Sequence, residues 1–133
     1  MPDKSKKILT EISAGELLDK IAILEIKLVK IKDKEKLMEI NKEYKSLKET
    51  KNSNIKLTQS LENLIIQLKE INLKLWDFED KTRICEKNKD FGQTFINLSR
   101  SVYLNNDKRA NIKSKINKML GSNIKEVKQY VNY

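Results

Sequence analysis

The chain has 133 residues, 38% hydrophobic and 35% charged, with three glycines, one proline and one cysteine; this suits a single domain of long helices and excludes a disulfide framework. Because no apolar run reaches the roughly 20 residues of a membrane span, and the N-terminus lacks a signal-peptide core, we expect a soluble, cytoplasmic protein that engages no membrane. The formal net charge of +9 comes mainly from lysines interspersed with acidic residues, a pattern typical of a solvated surface that argues against a nucleic-acid partner.

The first predicted helix follows a basic lead-in, residues 1–12, which we expect to be flexible. In "SAGE", Ser13 is followed three positions later by a glutamate, the spacing of a capping box. Apolar residues then recur every three or four positions over 17–31, which is typical of an amphipathic helix. The pattern loses phase at "KDKEK", where Asp33 can cap a second helix. The polar segment 48–56 then indicates a loop.

The strongest periodic pattern predicts a long helical hairpin. Over 57–88 apolar residues alternate at spacings of four and three without interruption, which predicts one helix about 45 Å long. The same spacing resumes over 91–120, with Asp90 and Gln93 as a second capping-box-like pair and Gly121 as the C-terminal cap. Because only a few residues join these two helices, they must fold back antiparallel.

These patterns predict an all-α fold, an antiparallel bundle of three to four helices built on that hairpin. Residues 13–121 form a single helical domain in this interpretation, and residues 122–133 form an irregular tail. Apolar residues beside the packing seam, among them Ile65 and Trp76, exceed what one short helix covers, which is consistent with a homodimer.

Polar residues on three helical segments are the candidates for function. The chain has no histidine, no cysteine cluster and no glycine-rich loop, so we expect neither a bound metal nor a cofactor. Arginine binds carboxylate or phosphate at two points, which lysine cannot do, so the three arginines of this lysine-rich chain indicate a geometric requirement. The candidate ligand-binding residues are Glu16, Asp19, Lys20, Trp76, Glu79, Asp80, Arg83, Arg100, Tyr103, Asn105, Asn106, Asp107, Arg109 and Lys113.

Two positions of the last helical seam are polar, namely Asn105 and Arg109. Burying the guanidinium without an acidic partner would cost several kcal/mol. The facing part of the hairpin is nearly free of acids, so we expect the partner on the first helix, at Glu16, Asp19 or Glu25. The three segments would then converge on one cluster, which is either a structural layer that fixes helix register or a binding site.

The motifs "EISAGELLDKIAILEIK", "LWDFEDKTR" and "FGQTFINLSRSVYLNNDKRANIKSKIN" resemble an uncharacterised bacterial domain family of short all-helical proteins, over residues 11–121. The resemblance implies that the polar groupings belong to the shared design of that family, and it implies no activity. The positions that match are Ser13, Gly15, Glu16, Asp19, Lys20, Lys27, Trp76, Glu79, Asp80, Arg83, Arg100, Tyr103, Asn106, Asp107, Arg109 and Lys113.

Functions of different classes stay open from the sequence. The residues favour a non-catalytic binding or interaction module, whose Arg–acid cluster binds a protein partner or a small anionic ligand bearing phosphate or carboxylate. One alternative is a Mg²⁺-dependent enzyme that uses helix-borne carboxylates on a phosphorylated substrate, and another is nucleic-acid binding through the basic surface. A closed Arg–acid network would favour a structural role, whereas guanidinium groups open to solvent beside Trp76 would favour an anion site.

Overall fold

The computed structural model of the chain describes residues 6–133, so the predicted lead-in lies partly outside the described residues. The first helix, α1 (Ala14–Lys30), begins at Ser13, whose hydroxyl accepts a hydrogen bond from the backbone N–H three residues later. The second, α2 (Lys34–Asn54), begins at Asp33, whose carboxylate accepts in the same way. Both predicted N-caps are confirmed.

Helix α2 is longer than the sequence pattern indicated, and the prediction of a loop over 48–56 is wrong, because the helix continues to Asn54. Lysine and glutamate are good helix formers, and the Thr50 hydroxyl and the Asn54 amide donate to carbonyls one turn earlier. The helix ends where Ile55 packs against the hydrophobic core.

The predicted hairpin is confirmed, with ends within two residues of the periodic segments 57–88 and 91–120. Its helices are α3 (Gln59–Lys87) and α4 (Gln93–Leu120), which pack against each other. The part of the chain that the structure describes contains helices and no strand, so the all-α fold is also confirmed. None of the helices over residues 6–133 combines the length and the apolar character that a membrane crossing requires.

The two ends of α4 differ in how well the sequence predicted them. Gly121 caps the C-terminus in the left-handed conformation, with φ 62°, as predicted. The capping box of Asp90 and Gln93 is wrong, because α4 begins at Gly92 and the Asp90 carboxylate accepts from the Gly92 N–H at 3.1 Å instead. The chain turns sharply there, since Lys89 has a positive φ of 54°.

The hydrophobic core lies at the end of the hairpin where α3 begins and α4 ends. Helix α1 packs against α3 and α4 there, and within the described residues α2 packs against α1 alone. The central cluster of buried residues in this core consists of Leu18, Leu61, Leu64, Leu68, Ile71, Ile112 and Ile116. Residues 76–104, the distal hairpin, extend beyond this core, and Cys85 is the one buried residue among them.

Candidate functional site

A salt bridge between α1 and α4 forms the centre of the polar cluster. Arg109 donates to Asp19 at two points, from Nε to Oδ1 at 2.9 Å and from Nη2 to Oδ2. The Asp19 side chain is 1% exposed, and the Asn72 amide of α3 donates to its Oδ1 at 2.9 Å. The predicted acidic partner on the first helix is therefore confirmed, and the pairing is the two-point geometry that arginine allows.

Lys113, one turn further along α4, extends this salt bridge into a network. Its Nζ lies 2.7 Å from Glu16 Oε2, 3.7 Å from Asp19 Oδ2 and 3.2 Å from Glu126 Oε2. The charged network, as we call it, consists of Glu16, Asp19, Asn72, Arg109, Lys113 and Glu126. Its two cations face three carboxylates, so it has no positive charge to spare for an anion.

The contacts of the network favour the ionised forms of Asp19, Arg109 and Lys113. Burial alone would raise the pKa of Asp19, but the hydrogen bonds from Arg109 and Asn72 and the nearby positive charges bring that pKa below its ordinary value. The hydrogen bond to Asp19 raises the pKa of Arg109. Burial would lower the pKa of Lys113, yet its carboxylate partners raise it overall. Because its ionic groups are paired with one another, the charged network favours a structural role for these residues over ligand binding.

The N-terminus of α1 sits directly on the last turns of α4, which places the two helices in register. The Gly15 N–H donates to Asn117 Oδ1 at 2.7 Å, and the Ala14 N–H donates to Ser122 Oγ at 2.9 Å. A Cβ added at Gly15 would lie 2.7 Å from the Lys113 carbonyl oxygen. This close approach brings Glu16 level with Lys113, and therefore Asp19 level with Arg109.

The remaining candidates on α4 have other partners. Asn105 is buried, but its amide donates to the Ser101 carbonyl of the same helix at 2.7 Å. Asn106 accepts a long bond of 3.4 Å from Arg109. Tyr103 and Asp107 instead contact the C-terminal tail, at Tyr133.

The segment "LWDFEDKTR" lies apart from the charged network, so the three predicted groupings do not converge on one cluster. Glu79 and Arg83 line a groove of about 390 Å³ between α3 and α4, together with Thr82, Ser99 and Val102. The other candidates of the distal hairpin and α1 are half-buried or exposed, namely Trp76, Asp80, Arg100 and Lys20. The structure thus contains two separate features, the charged network, whose ionic groups are paired with one another, and the groove lined by Glu79 and Arg83.

Sequence reasoning missed several residues that complete the charged network or that join α1 and the tail to α4. In the sequence, Asn72 and Asn117 each directly follow a buried isoleucine of the packing seam. A polar residue next to a seam position is the feature by which they could have been identified. Glu126 and Tyr133 belong to a tail without periodicity, and nothing in the sequence pattern indicates that this tail returns to α4.

We expect the Glu126→Gln substitution to loosen the tail without unfolding the helices. Burial would raise the pKa of Glu126, yet Lys113 and Lys128 lower it overall, so the contact is present at neutral pH and is lost as the pH falls through that lowered value. Amide hydrogen exchange over residues 122–133 should become about threefold faster, a modest change because the pair is partly solvent-exposed. The control is Glu86→Gln, at an exposed pair with Lys89, and tail exchange equal to wild type in Glu126→Gln would contradict the assignment.

The donor groups of the described residues do not assemble a metal site. Over residues 6–133, no three cysteine, aspartate or glutamate side chains come together in a way that could hold a metal ion. The carboxylates of Glu16 and Asp19 already bind Lys113 and Arg109.

These features define the class of the protein, an all-α bundle in which a charged network joins α1, α4 and the tail. The chain belongs to a family of unknown function, DUF6165, whose match covers residues 8–133 and therefore includes the tail. No curated protein and no solved structure was found to match the chain.

Proposed function

We propose that the protein is a non-catalytic binding module that binds a small ligand bearing phosphate or carboxylate in the groove of the distal hairpin. The supporting observation is the contrast between two arginines. Arg109 is fully engaged by Asp19, whereas Arg83 is exposed, lines the groove, and takes part in none of the ion pairs within residues 6–133.

The groove offers complementary chemistry for such a ligand. The planar guanidinium of Arg83 can bind a carboxylate or phosphate at two points. Ser99 on the opposite wall adds a hydroxyl donor, and Glu79, one turn before Arg83, adds an acceptor. A ligand with one anionic group and a nearby hydroxyl or amine would satisfy both charges of the groove. Its volume of about 390 Å³ lies within the range of about 300–1,000 Å³ typical of small-molecule sites.

The alternatives have less support from the contacts. A Mg²⁺-dependent enzyme needs several free carboxylates that converge, but Glu16 and Asp19 are bound by cations, and no three acidic or cysteine side chains of residues 6–133 come together to hold a metal ion. The nucleic-acid reading depends on net charge alone. A protein partner or a second copy of the chain could cover the exposed side chains of Ile84, Phe91 and Ile96 on the distal hairpin. We also propose that this module works in the cytoplasm, because its one cysteine, Cys85, is a free thiol, the state that a reducing compartment maintains.

We expect the Arg83→Gln substitution to weaken binding of a phosphorylated ligand at least about tenfold, because it removes the one charged two-point donor of the groove. The measurement is isothermal titration of the full chain with pyrophosphate and with a set of sugar phosphates, at fixed ionic strength. Arg100→Gln is the matched control. Arg100 is also exposed and on the distal hairpin, but it does not line the groove.

The proposal would be supported if Arg83→Gln lost affinity for the ligand while the affinity of Arg100→Gln changed less than threefold. Equal losses in both variants would mean diffuse attraction to a basic surface. That result, or the absence of saturable binding to the wild-type chain, would overturn it.

A further inference from the structure

A second cleft lies under the C-terminal tail, on a part of α4 that neither the charged network nor the distal groove uses. The tail runs back along α4, because Ser122 contacts Asn117, Glu126 contacts Lys113, and Tyr133 contacts Asp107. Between the tail and the helix is a space of about 650 Å³, lined by Tyr103, Asn106, Asp107, Lys128, Tyr130 and Tyr133, with Val131.

Tyrosine rings form a corner in this cleft. The rings of Tyr103 and Tyr133 lie 5.7 Å apart between centroids and are nearly perpendicular, at 83°. The Tyr133 hydroxyl donates to the Asp107 carboxylate, which fixes the second ring against the helix. Both tyrosine rings and the Asp107 carboxylate therefore border the same space. Ring faces and carboxylates alike attract a positive charge.

An internal lysine already occupies a neighbouring ring face. Lys128 Nζ lies 5.9 Å from the centroid of the Tyr130 ring, and both side chains line the cleft. The same Nζ lies 3.3 Å from Glu126, a carboxylate that does not line the cleft, so only part of the Lys128 charge acts on the cleft. Asp107 is then the side-chain carboxylate that lines the cleft, and within residues 6–133 its hydrogen-bond partner is a neutral hydroxyl.

We propose that this cleft binds an organic ammonium group, of the methylated or alkylated amine class, against the tyrosine pair of Tyr103 and Tyr133 and beside Asp107. Methyl groups on the nitrogen fit the aromatic faces, and the positive charge is attracted both to the rings and to the carboxylate. A divalent metal ion does not fit, because it needs several oxygen ligands and one carboxylate lines the cleft. This inference is independent of the anion groove, which shares no residue with the cleft.

The test is a titration of the full chain with choline, followed by ligand-observed NMR, beside its uncharged carbon isostere, dimethylbutanol. We expect saturable binding of choline and at least tenfold weaker binding of the isostere. Tyr103→Leu should weaken choline binding about tenfold. Lys128→Met should strengthen it about threefold, because the competing internal ammonium is removed. Tyr44→Leu is the control, since Tyr44 also lies beside a carboxylate and a lysine, Glu25 and Lys48, but on α2.

Three results would overturn the proposal. Equal binding of choline and its isostere would show an apolar cleft without preference for charge. An unchanged affinity in Tyr103→Leu, with its circular dichroism spectrum equal to wild type, would place any binding elsewhere. The absence of saturable choline binding in both the wild type and Lys128→Met would leave the cleft without this ligand class.

Discussion

Replacing Asp19 with alanine is expected to lower the free energy of unfolding by about 3 kcal/mol, because it leaves the half-buried Arg109 and the buried Lys113 without the carboxylate that they share. The Asp19 side chain is 1% exposed and those of Arg109 and Lys113 are 27% and 11% exposed. Solvent can therefore compensate only part of the lost interaction. Denaturation in urea, followed by far-ultraviolet circular dichroism, measures the change.

An exposed pair provides the control for this substitution. Lys30 and Asp77 also join α1 to α3, but their closest atoms are 4.0 Å apart and their side chains are 40% and 60% exposed. Asp77→Ala should change the free energy of unfolding by no more than about 0.5 kcal/mol. If Asp19→Ala cost as little as that, the charged network would not stabilise the junction of the helices.

The pH dependence gives a second measurement of the same salt bridge. The pKa of Asp19 lies below its ordinary value of 3.8 in the folded chain. Its stabilising contribution is therefore complete above that ordinary value, and it is lost as the pH falls through the lower, folded-state pKa. Wild type should lose stability in this acidic window more steeply than Asp19→Ala, which lacks the group.

Helix positions were predictable from the sequence because they depend on local chemistry. The spacing of apolar residues gives the hairpin, and the short polar side chains of Ser13 and Asp33 give two helix starts. The prediction failed over 48–56, where polar composition indicated a loop. Helices rich in lysine and glutamate have the same composition as polar loops, so composition alone does not distinguish the two.

The pairing of Arg109 was predictable for a different reason, namely that a seam position cannot hold an unpaired charge. The separation of "LWDFEDKTR" from that pair was not predictable. After Asp19, helix α1 approaches Lys69 through Glu25 and then Asp77 through Lys30. Within residues 6–133, no ion pair joins the second half of α1 to α4. The groove beside Arg83 is therefore left open. The direction in which one helix crosses another depends on how whole surfaces interlock, which a periodic pattern does not encode.

The close packing of Gly15 against α4 leads to the other large expected effect. Gly15→Ser should lower the free energy of unfolding by about 3 kcal/mol. The new Cβ would lie 2.7 Å from the Lys113 carbonyl oxygen and 2.9 Å from Asn117 Oδ1, and the first of these is a backbone atom that cannot rotate away. Helix α1 must shift, which strains the packing and weakens the Gly15–Asn117 hydrogen bond of 2.7 Å.

The same substitution at Gly92 separates this packing effect from the general cost of replacing a glycine. A Cβ at Gly92 would meet its nearest atom, Asp90 Oδ1, at 3.4 Å, which is ordinary contact. Gly92 is also the N-cap of α4, where serine is a preferred residue, so Gly92→Ser should leave stability unchanged or raise it by about 0.5 kcal/mol. If chemical denaturation gave the same change for both variants, α1 would not depend on close contact with α4 to place Asp19 against Arg109.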